Sequence, residues 1–142
     1  MILLDTNVVS ETMRATPEPR VVAWLDAQLA ETLHLSAISL AELLLGIAVL
    51  PDGKRKVQLG LQLTTRATAL FGERVLPFDA DAASAYAEVV SGARAGGRAI
   101  GVADGQIAAI AAARRLIVAT RDVTPFEAAG VPVVNPWTVS SN

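Results

Sequence analysis

The chain has 142 residues, 52% hydrophobic and 18% charged, a composition that predicts one globular domain over residues 1–142 and excludes a disordered tail. The absence of cysteine excludes disulfides and thiolate metal sites, and it favours a cytoplasmic protein. The formal net charge of -2 excludes a general attraction for nucleic acid, so an RNA or DNA substrate would need a local basic patch or a bound cation.

The first predicted element is a short buried strand, the apolar run Ile2–Leu4. Asp5, Thr6 and Asn7 end this run and turn the chain towards a helix over residues 8–13. Because Asp5 interrupts the run at once, no signal peptide is predicted, and no apolar run elsewhere reaches the ~20 residues of a membrane span. In an open parallel sheet, chemistry takes place beyond the carboxyl ends of the strands, so Asp5 is predicted to stand at that edge.

The rest of the chain alternates between predicted helices and strands. The remaining predicted helices cover about 18–30, 37–49, 54–71, 79–95, 106–112 and 126–129. Ser36 or Ser39 is predicted to cap the helix over 37–49, and Asp79 or Asp81 is predicted to open the helix over 79–95. The helix over 54–71 has an apolar stripe at Val57, Leu61 and Leu70. The remaining predicted strands cover 33–36, 74–78, 116–120 and 131–136, the last at an edge because of Pro132. This alternation predicts a three-layer α/β/α fold with a central parallel sheet of about five strands.

Four carboxylates fall where this fold would bring them to one edge of the sheet. Asp5 and Asp122 follow strands, and Asp104 opens a helix. Each of the three also has an ordinary structural explanation. Asp5 can cap a helix, Asp122 can be a turn residue, and Asp104 can interact favourably with a helix dipole. Glu42 is more informative, because a glutamate in a helix that is apolar nearly all round is costly unless it is paired or binds a metal. The alternative for Glu42 is a partly exposed side chain on a thin polar stripe.

The chemistry of these acids points to a metal. Crowded carboxylates raise one another's pKa and persist together only where a cation neutralises them. Oxygen ligands without histidine or cysteine suit a hard ion such as Mg²⁺ or Mn²⁺, which also takes phosphate oxygens from a substrate. The implied reaction is hydrolysis of a phosphodiester by water, without a covalent nucleophile. Arg121, beside Asp122, is predicted either to contact a substrate phosphate or to form a plain salt bridge.

An ordered set of short motifs along the whole chain resembles the PIN-domain ribonucleases: Asp5-Thr6-Asn7, Ala41-Glu42-Leu43, Ala103-Asp104 and Thr120-Arg121-Asp122. A narrower resemblance to the VapC/FitB-like toxins of bacterial type II toxin–antitoxin pairs rests on Val21–Leu25, Leu35–Ile38 and Asn135–Trp137. The resemblance implies that Asp5, Glu42, Asp104 and Asp122 are the catalytic, metal-binding carboxylates, with Thr6, Asn7 and Thr120 in support. At or beside position 122 many relatives carry asparagine.

The same resemblance implies a cytoplasmic, Mg²⁺- or Mn²⁺-dependent endoribonuclease toxin that cuts structured RNA such as tRNA or rRNA. It also implies a homodimer and a cognate antitoxin bound over an apolar groove. Two alternatives stay open. A phosphatase of the haloacid-dehalogenase type would use Asp5 as a covalent nucleophile, although such enzymes usually place a second aspartate where this chain has Asn7. A noncatalytic PIN-like interaction module would use the acidic pocket to dock an arginine of its partner.

Overall fold

A five-stranded parallel sheet runs through the computed structural model, which describes residues 1–140. Residues 141 and 142, the end of the predicted domain, lie outside the described residues. The strands are β1 (Ile2–Leu4), β2 (Leu33–Ser36), β3 (Val75–Leu76), β4 (Ile117–Ala119) and β5 (Val133–Val134). Their order is β3-β2-β1-β4-β5, so β1 is central and β5 lies at an edge, as Pro132 predicted. The predicted three-layer α/β/α fold is confirmed.

Seven helices connect and cover the strands in the part of the chain that the structure describes. They are α1 (Thr6–Thr12), α2 (Pro19–Asp26), α3 (Ala37–Ala48), α4 (Lys54–Arg66), α5 (Ala80–Ala95), α6 (Val102–Arg114) and α7 (Val123–Ala128). Two predicted helices are too long. The helix predicted over 18–30 ends at Asp26, and a 3-10 turn follows at Ala30–Thr32. The helix predicted over 54–71 changes after Arg66 into a wider π-helical turn, Ala67–Phe71.

The core forms two clusters, because successive side chains of a strand point to opposite faces of the sheet. Leu3 packs into one cluster with Ile107 and Phe126, whereas Leu4 packs into the other with Leu35. Helices cover both faces of the sheet, so β1 has no side that faces solvent. This explains why all its residues are apolar. The first polar side chain, that of Asp5, appears only where the strand ends.

The strand register places three polar residues side by side at the carboxyl edge of the sheet. Leu4 pairs with Leu35 on one side and with Ala119 on the other. The next residues are Asp5, Ser36 and Thr120, and the Asp5 amide donates to the Ala119 carbonyl at 2.9 Å. Ser36 Oγ accepts a hydrogen bond from the Ser39 amide at 2.9 Å and so caps α3, the helix that carries Glu42.

Two helices expose large apolar side chains to solvent. The predicted stripe of Val57, Leu61 and Leu70 is exposed, and the helix and the turn after it contact the core through Leu63 and Phe71 instead. On α3 the exposed apolar residues are Leu44, Leu45 and Val49. No helix within residues 1–140 combines the length and the apolar character needed to cross a bilayer.

Candidate metal centre

Asp5 lies at the carboxyl end of the central strand, with its side chain only 6% exposed. Its Oδ1 accepts a hydrogen bond from the Thr6 amide at 2.8 Å, and its Oδ2 accepts one from Thr120 Oγ1 at 2.8 Å. Burial raises the pKa of Asp5 to about 6, although these two hydrogen bonds lower it. The charges of Asp104 and Glu42 contribute to this rise. Asp5 therefore caps α1 and also belongs to a group of interacting carboxylates.

Thr120 connects the elements that meet at this edge. It is fully buried directly after β4, and its hydroxyl donates to Asp5. The same Oγ1 accepts hydrogen bonds from the Asp122 amide at 3.0 Å and from Asn7 Nδ2 at 3.3 Å. Asn7 Oδ1 in turn accepts a hydrogen bond from the Arg121 amide at 3.2 Å. The start of α1 and the turn at residues 120–122 are thus held together by one hydrogen-bond network.

Glu42 is exposed, so the expectation that it sits in a buried helix is wrong. The alternative of a partly solvated position describes it better, because α3 packs through one side and leaves Leu44 and Leu45 uncovered. The Glu42 carboxylate nevertheless reaches the cluster. Its Oε1 accepts a hydrogen bond from Thr6 Oγ1 at 2.8 Å, and its charge raises the pKa of Asp5.

Asp104 lies in the first turn of α6, and Asp122 lies just before α7. Burial raises the pKa of Asp104, and the charges of Asp122 and Glu42 raise it further. A helix N-terminus stabilises a carboxylate, so here desolvation and like-charge repulsion outweigh the helix dipole. Among residues 1–140, the Asp104 side chain has no hydrogen-bond partner, and that of Asp122, which is exposed, does not cap its helix.

The four predicted carboxylates therefore come within electrostatic reach of one another at one edge of the sheet. Across the described range, no three acidic or histidine side chains already converge as ligands of a metal ion. Asp5 and Glu42 accept hydrogen bonds from Thr6 instead. The donor set fits a hard divalent cation, because it offers only oxygen atoms and carries charges that repel. The ligand geometry itself is not preformed.

Arg121 lies on the rim of this site, and its guanidinium stands 5.3 Å from the centre of the Trp137 ring. This is a cation–π distance. The salt bridge that the sequence left open for Arg121 does not occur within residues 1–140. The sequence reasoning had used Trp137 only as part of a motif. Because the Asn135–Trp137 segment follows β5 at the same edge of the sheet, the rule that placed Asp5 there could have identified it.

Comparisons with known proteins identify the family to which the chain belongs. The family model for the PIN domain matches residues 2–131. The VapC ribonuclease Y4jK of Sinorhizobium fredii is 51% identical over 96% of this chain and 98% of its own length. The toxin FitB of Neisseria gonorrhoeae is 52% identical over 96% of this chain and 99% of its own length. The crystal structure of FitAcB from Neisseria gonorrhoeae, 51% identical, superposes with a TM-score of 0.94 over 98% of this chain and 100% of that one.

Proposed function

The chain belongs to the PIN-domain family, and we propose that it is a metal-dependent endoribonuclease, the toxin of a type II toxin–antitoxin pair. The observation that carries this proposal is the charge interaction of Asp104 and Glu42 with the buried Asp5, since burial and these two charges raise the pKa of Asp5. A purely structural role for these acids does not account for the repulsion, because a fold gains nothing by gathering like charges. The identity to a VapC ribonuclease over nearly the whole chain supports the same activity.

The residues proposed to hold the ion are Asp5, Glu42, Asp104 and Asp122, and the ion is Mg²⁺ or Mn²⁺. A divalent ion held there supplies a Lewis acid for the phosphodiester and lowers the pKa of the attacking water. Thr120 and the Thr6 amide hold Asp5 in place and favour its charged form. Thr6 Oγ1 orients Glu42, and Asn7 ties α1 to the turn that carries Asp122. These three residues are positioning residues, since they act through the carboxylates.

The proposed substrate is structured RNA such as tRNA or rRNA, and the proposed location of the protein is the cytoplasm. Arg121 is the proposed phosphate contact at the rim of the site. Its backbone amide is fixed by Asn7 and its guanidinium lies over Trp137, so little side-chain entropy remains to be lost on binding. The haloacid-dehalogenase alternative has less support, because Asn7, in the place of the second aspartate, donates hydrogen bonds to Thr120 and Asp5.

Removal of divalent ions is expected to stop RNA cleavage. Purified protein incubated with total tRNA and rRNA should lose activity in EDTA, and an excess of Mg²⁺ or Mn²⁺ should restore it, because the site offers only carboxylate oxygens. Gel analysis of the RNA measures cleavage, and circular dichroism in EDTA checks that the fold persists. Cleavage at an unchanged rate in EDTA would contradict a metal-dependent mechanism and favour contamination by a metal-independent nuclease.

An apolar groove on the surface of the protein is the proposed antitoxin-binding site. The groove has a volume of about 570 Å³ and is lined by residues of α1, α2 and the turn after α4, among them Val9, Val22, Leu25 and Phe71. The Arg66 guanidinium fixes one wall, since it donates to Thr12 Oγ1 at 3.0 Å and to the Thr12 carbonyl at 3.1 Å. The FitB relative is named a toxin, which supports a partner that neutralises the protein.

The exposed face of α3 supports the proposal of a homodimer. Leu44, Leu45 and Val49 are 48%, 64% and 72% exposed. Such a run of large apolar side chains on one helix is unfavourable in water and is typical of a protein–protein interface. This face and the groove do not share lining residues, so a second copy of the chain and an antitoxin can occupy them independently.

Two charge substitutions are expected to disrupt the two proposed interfaces independently of each other. Leu45→Glu should convert a dimer to a monomer but leave capture of the partner encoded in the adjacent reading frame unchanged. Val22→Glu, in the groove, should abolish that capture and leave the dimer intact. Both sites are already exposed, so each variant should fold and serves as the control for the other. Light scattering gives the mass, and co-purification gives the capture. A dimer that survives Leu45→Glu would exclude this face of α3 as the interface.

A further inference from the structure

A second cavity adjoins the acidic cluster, and we propose that it is a subsite for a nucleotide next to the scissile phosphate, with Arg98 as the phosphate ligand. This inference rests on the proposed ribonuclease function and deepens it. The cavity has a volume of about 610 Å³, and two carboxylates share its wall with one arginine; its lining residues are Arg98, Ala99, Asp122, Thr124, Pro125, Glu127 and Ala128. Because Asp122 belongs both to this cavity and to the carboxylate cluster, an occupant of the cavity lies beside the proposed reaction centre.

The backbone holds Arg98 in place at the end of α5. The Arg98 amide donates to the Ala93 carbonyl at 2.8 Å, and the Gly97 amide donates to the Arg94 carbonyl at 3.0 Å. Gly97 has a φ of 75°, a left-handed conformation that suits glycine. Together these features form a Schellman motif, the usual end of a helix at a glycine. The sequence Gly96-Gly97-Arg98 therefore fixes the backbone of Arg98 at the wall of the cavity.

The Arg98 side chain is available to a ligand. It is exposed, and nothing else within residues 1–140 forms an ion pair with its guanidinium. An arginine with its donors unused binds phosphate strongly and often through two parallel hydrogen bonds. The hydroxyl of Thr124 adds a further polar group to the same wall. A cavity of roughly 300–1,000 Å³ is the size that small organic ligands occupy in proteins, and a single nucleotide falls in this class.

Another cavity borders the cluster at Glu42 and Thr6, but it fits a nucleotide less well. Its volume is about 290 Å³, less than half that of the Arg98 cavity. Its wall includes Arg55 and Arg14, and the Arg14 guanidinium already binds the buried carboxylate of Glu11 at 3.0 and 3.1 Å. A phosphate bound by Arg14 would have to compete with that ion pair, so the smaller volume is the main argument against this cavity. The Arg98 cavity is therefore the better place for the nucleotide that flanks the scissile bond.

Steady-state cleavage of an RNA substrate by the full-length protein tests the subsite. Arg98→Ala should raise KM about tenfold and leave kcat within about twofold, because a ground-state phosphate contact is lost. The slope of log affinity against log salt should fall by about 0.7, the contribution of one phosphate contact on single-stranded RNA. Arg98→Lys should recover part of the affinity. Arg94→Ala removes an exposed arginine outside the cavity and should change neither quantity.

A bulky substitution tests the space of the cavity independently of the charge of Arg98. Ala99 is exposed in the loop that follows α5, so Ala99→Trp should fill the cavity without disturbing the core. It should raise KM as Arg98→Ala does while keeping the arginine. If Arg98→Ala and Arg94→Ala behave alike, or if Ala99→Trp leaves KM unchanged, the subsite is overturned. If these variants lose binding of a partner protein while KM stays unchanged, the cavity binds a protein, and the subsite proposal is overturned as well.

RNA cleavage by the wild-type protein shows whether a negative result overturns the ribonuclease proposal or the subsite alone. A wild-type protein that cleaves no RNA in Mg²⁺ or Mn²⁺ would overturn the ribonuclease proposal and the subsite together. A wild-type protein that cleaves RNA, with an Arg98→Ala variant of unchanged KM and salt dependence, would overturn the subsite alone.

Discussion

Replacing Asp104 with asparagine is expected to reduce RNA cleavage by roughly a hundred- to a thousandfold and to stabilise the metal-free fold. Asparagine keeps the shape of the side chain and removes the charge that a divalent ion requires. The Asp104 carboxylate has no hydrogen-bond partner to lose among the described residues, and burial, Asp122 and Glu42 all raise its pKa. A structural carboxylate would show the opposite pattern, since its removal would destabilise the protein.

The pH dependence of this stabilisation follows from the direction of the pKa shift. The pKa of Asp104 is raised in the folded protein, so the folded state binds a proton more tightly than the unfolded state does. The charged form therefore lowers the free energy of unfolding at neutral pH, and this penalty disappears as the pH falls through the raised pKa. We expect Asp104→Asn to exceed the wild-type protein in urea stability at pH 7 in EDTA, and to resemble it near pH 4.

A matched control is available in α5. Asp81 occupies the first turn of that helix as Asp104 occupies the first turn of α6, but Asp81 lies outside the cluster. Asp81→Asn should leave cleavage unchanged and should weaken the fold slightly, by about 0.3–1 kcal/mol, through the lost interaction with the helix dipole. An Asp104→Asn variant that cleaves RNA as fast as Asp81→Asn does would contradict the assignment of Asp104.

Thr120→Val is expected to lower cleavage by about 10- to 100-fold, as is typical when the group that orients a metal ligand is lost. Valine matches the shape of threonine but cannot donate to Asp5 or accept from the Asp122 amide. The buried groups left without a partner should also lower the free energy of unfolding by about 1–3 kcal/mol. Thr120→Ser keeps the hydroxyl and should recover most of the activity.

The pH profile of cleavage separates this positioning role from a merely structural one. The hydrogen bond from Thr120 lowers the pKa of Asp5, which stands at about 6, so its removal should raise that pKa further. Asp5 must be charged to bind a cation, and the acidic limb of the profile should therefore move to higher pH in Thr120→Val but not in Thr120→Ser. An unshifted acidic limb in Thr120→Val would mean that Thr120 supports only the fold.

The sheet was predictable because its strands are buried on both faces. The run Ile2–Leu4 divides its side chains between two core clusters, so each position must be apolar, and the strand ends at the first charge. β2 also coincides with the predicted 33–36, a short segment in which apolar and polar residues alternate. The position of Asp5 at the carboxyl edge then follows from the general location of sites in parallel sheets.

Burial and hydrogen-bond partners were less predictable. An apolar pattern does not distinguish a side chain that packs in the core from one that packs on another chain, and Leu45 and Leu61 are both exposed although each belongs to an apolar stretch of its helix. The solvation of Glu42 was misjudged for this reason. The contacts of Thr120 depend on the register between β1 and β4, which no local sequence signal fixes, and only the family resemblance pointed to its hydroxyl.

Calorimetric titration of Mn²⁺ into the metal-free protein, in buffers of different ionisation enthalpy near pH 6, shows whether the carboxylate cluster binds a divalent ion. We expect binding by the wild-type protein and by Asp81→Asn, with release of protons because Asp5 has a pKa of about 6, and we expect the loss of binding in Asp104→Asn. A wild-type protein that takes up no Mn²⁺ at millimolar concentrations, or an Asp104→Asn variant that binds as well as the wild type, would contradict the proposed metal site.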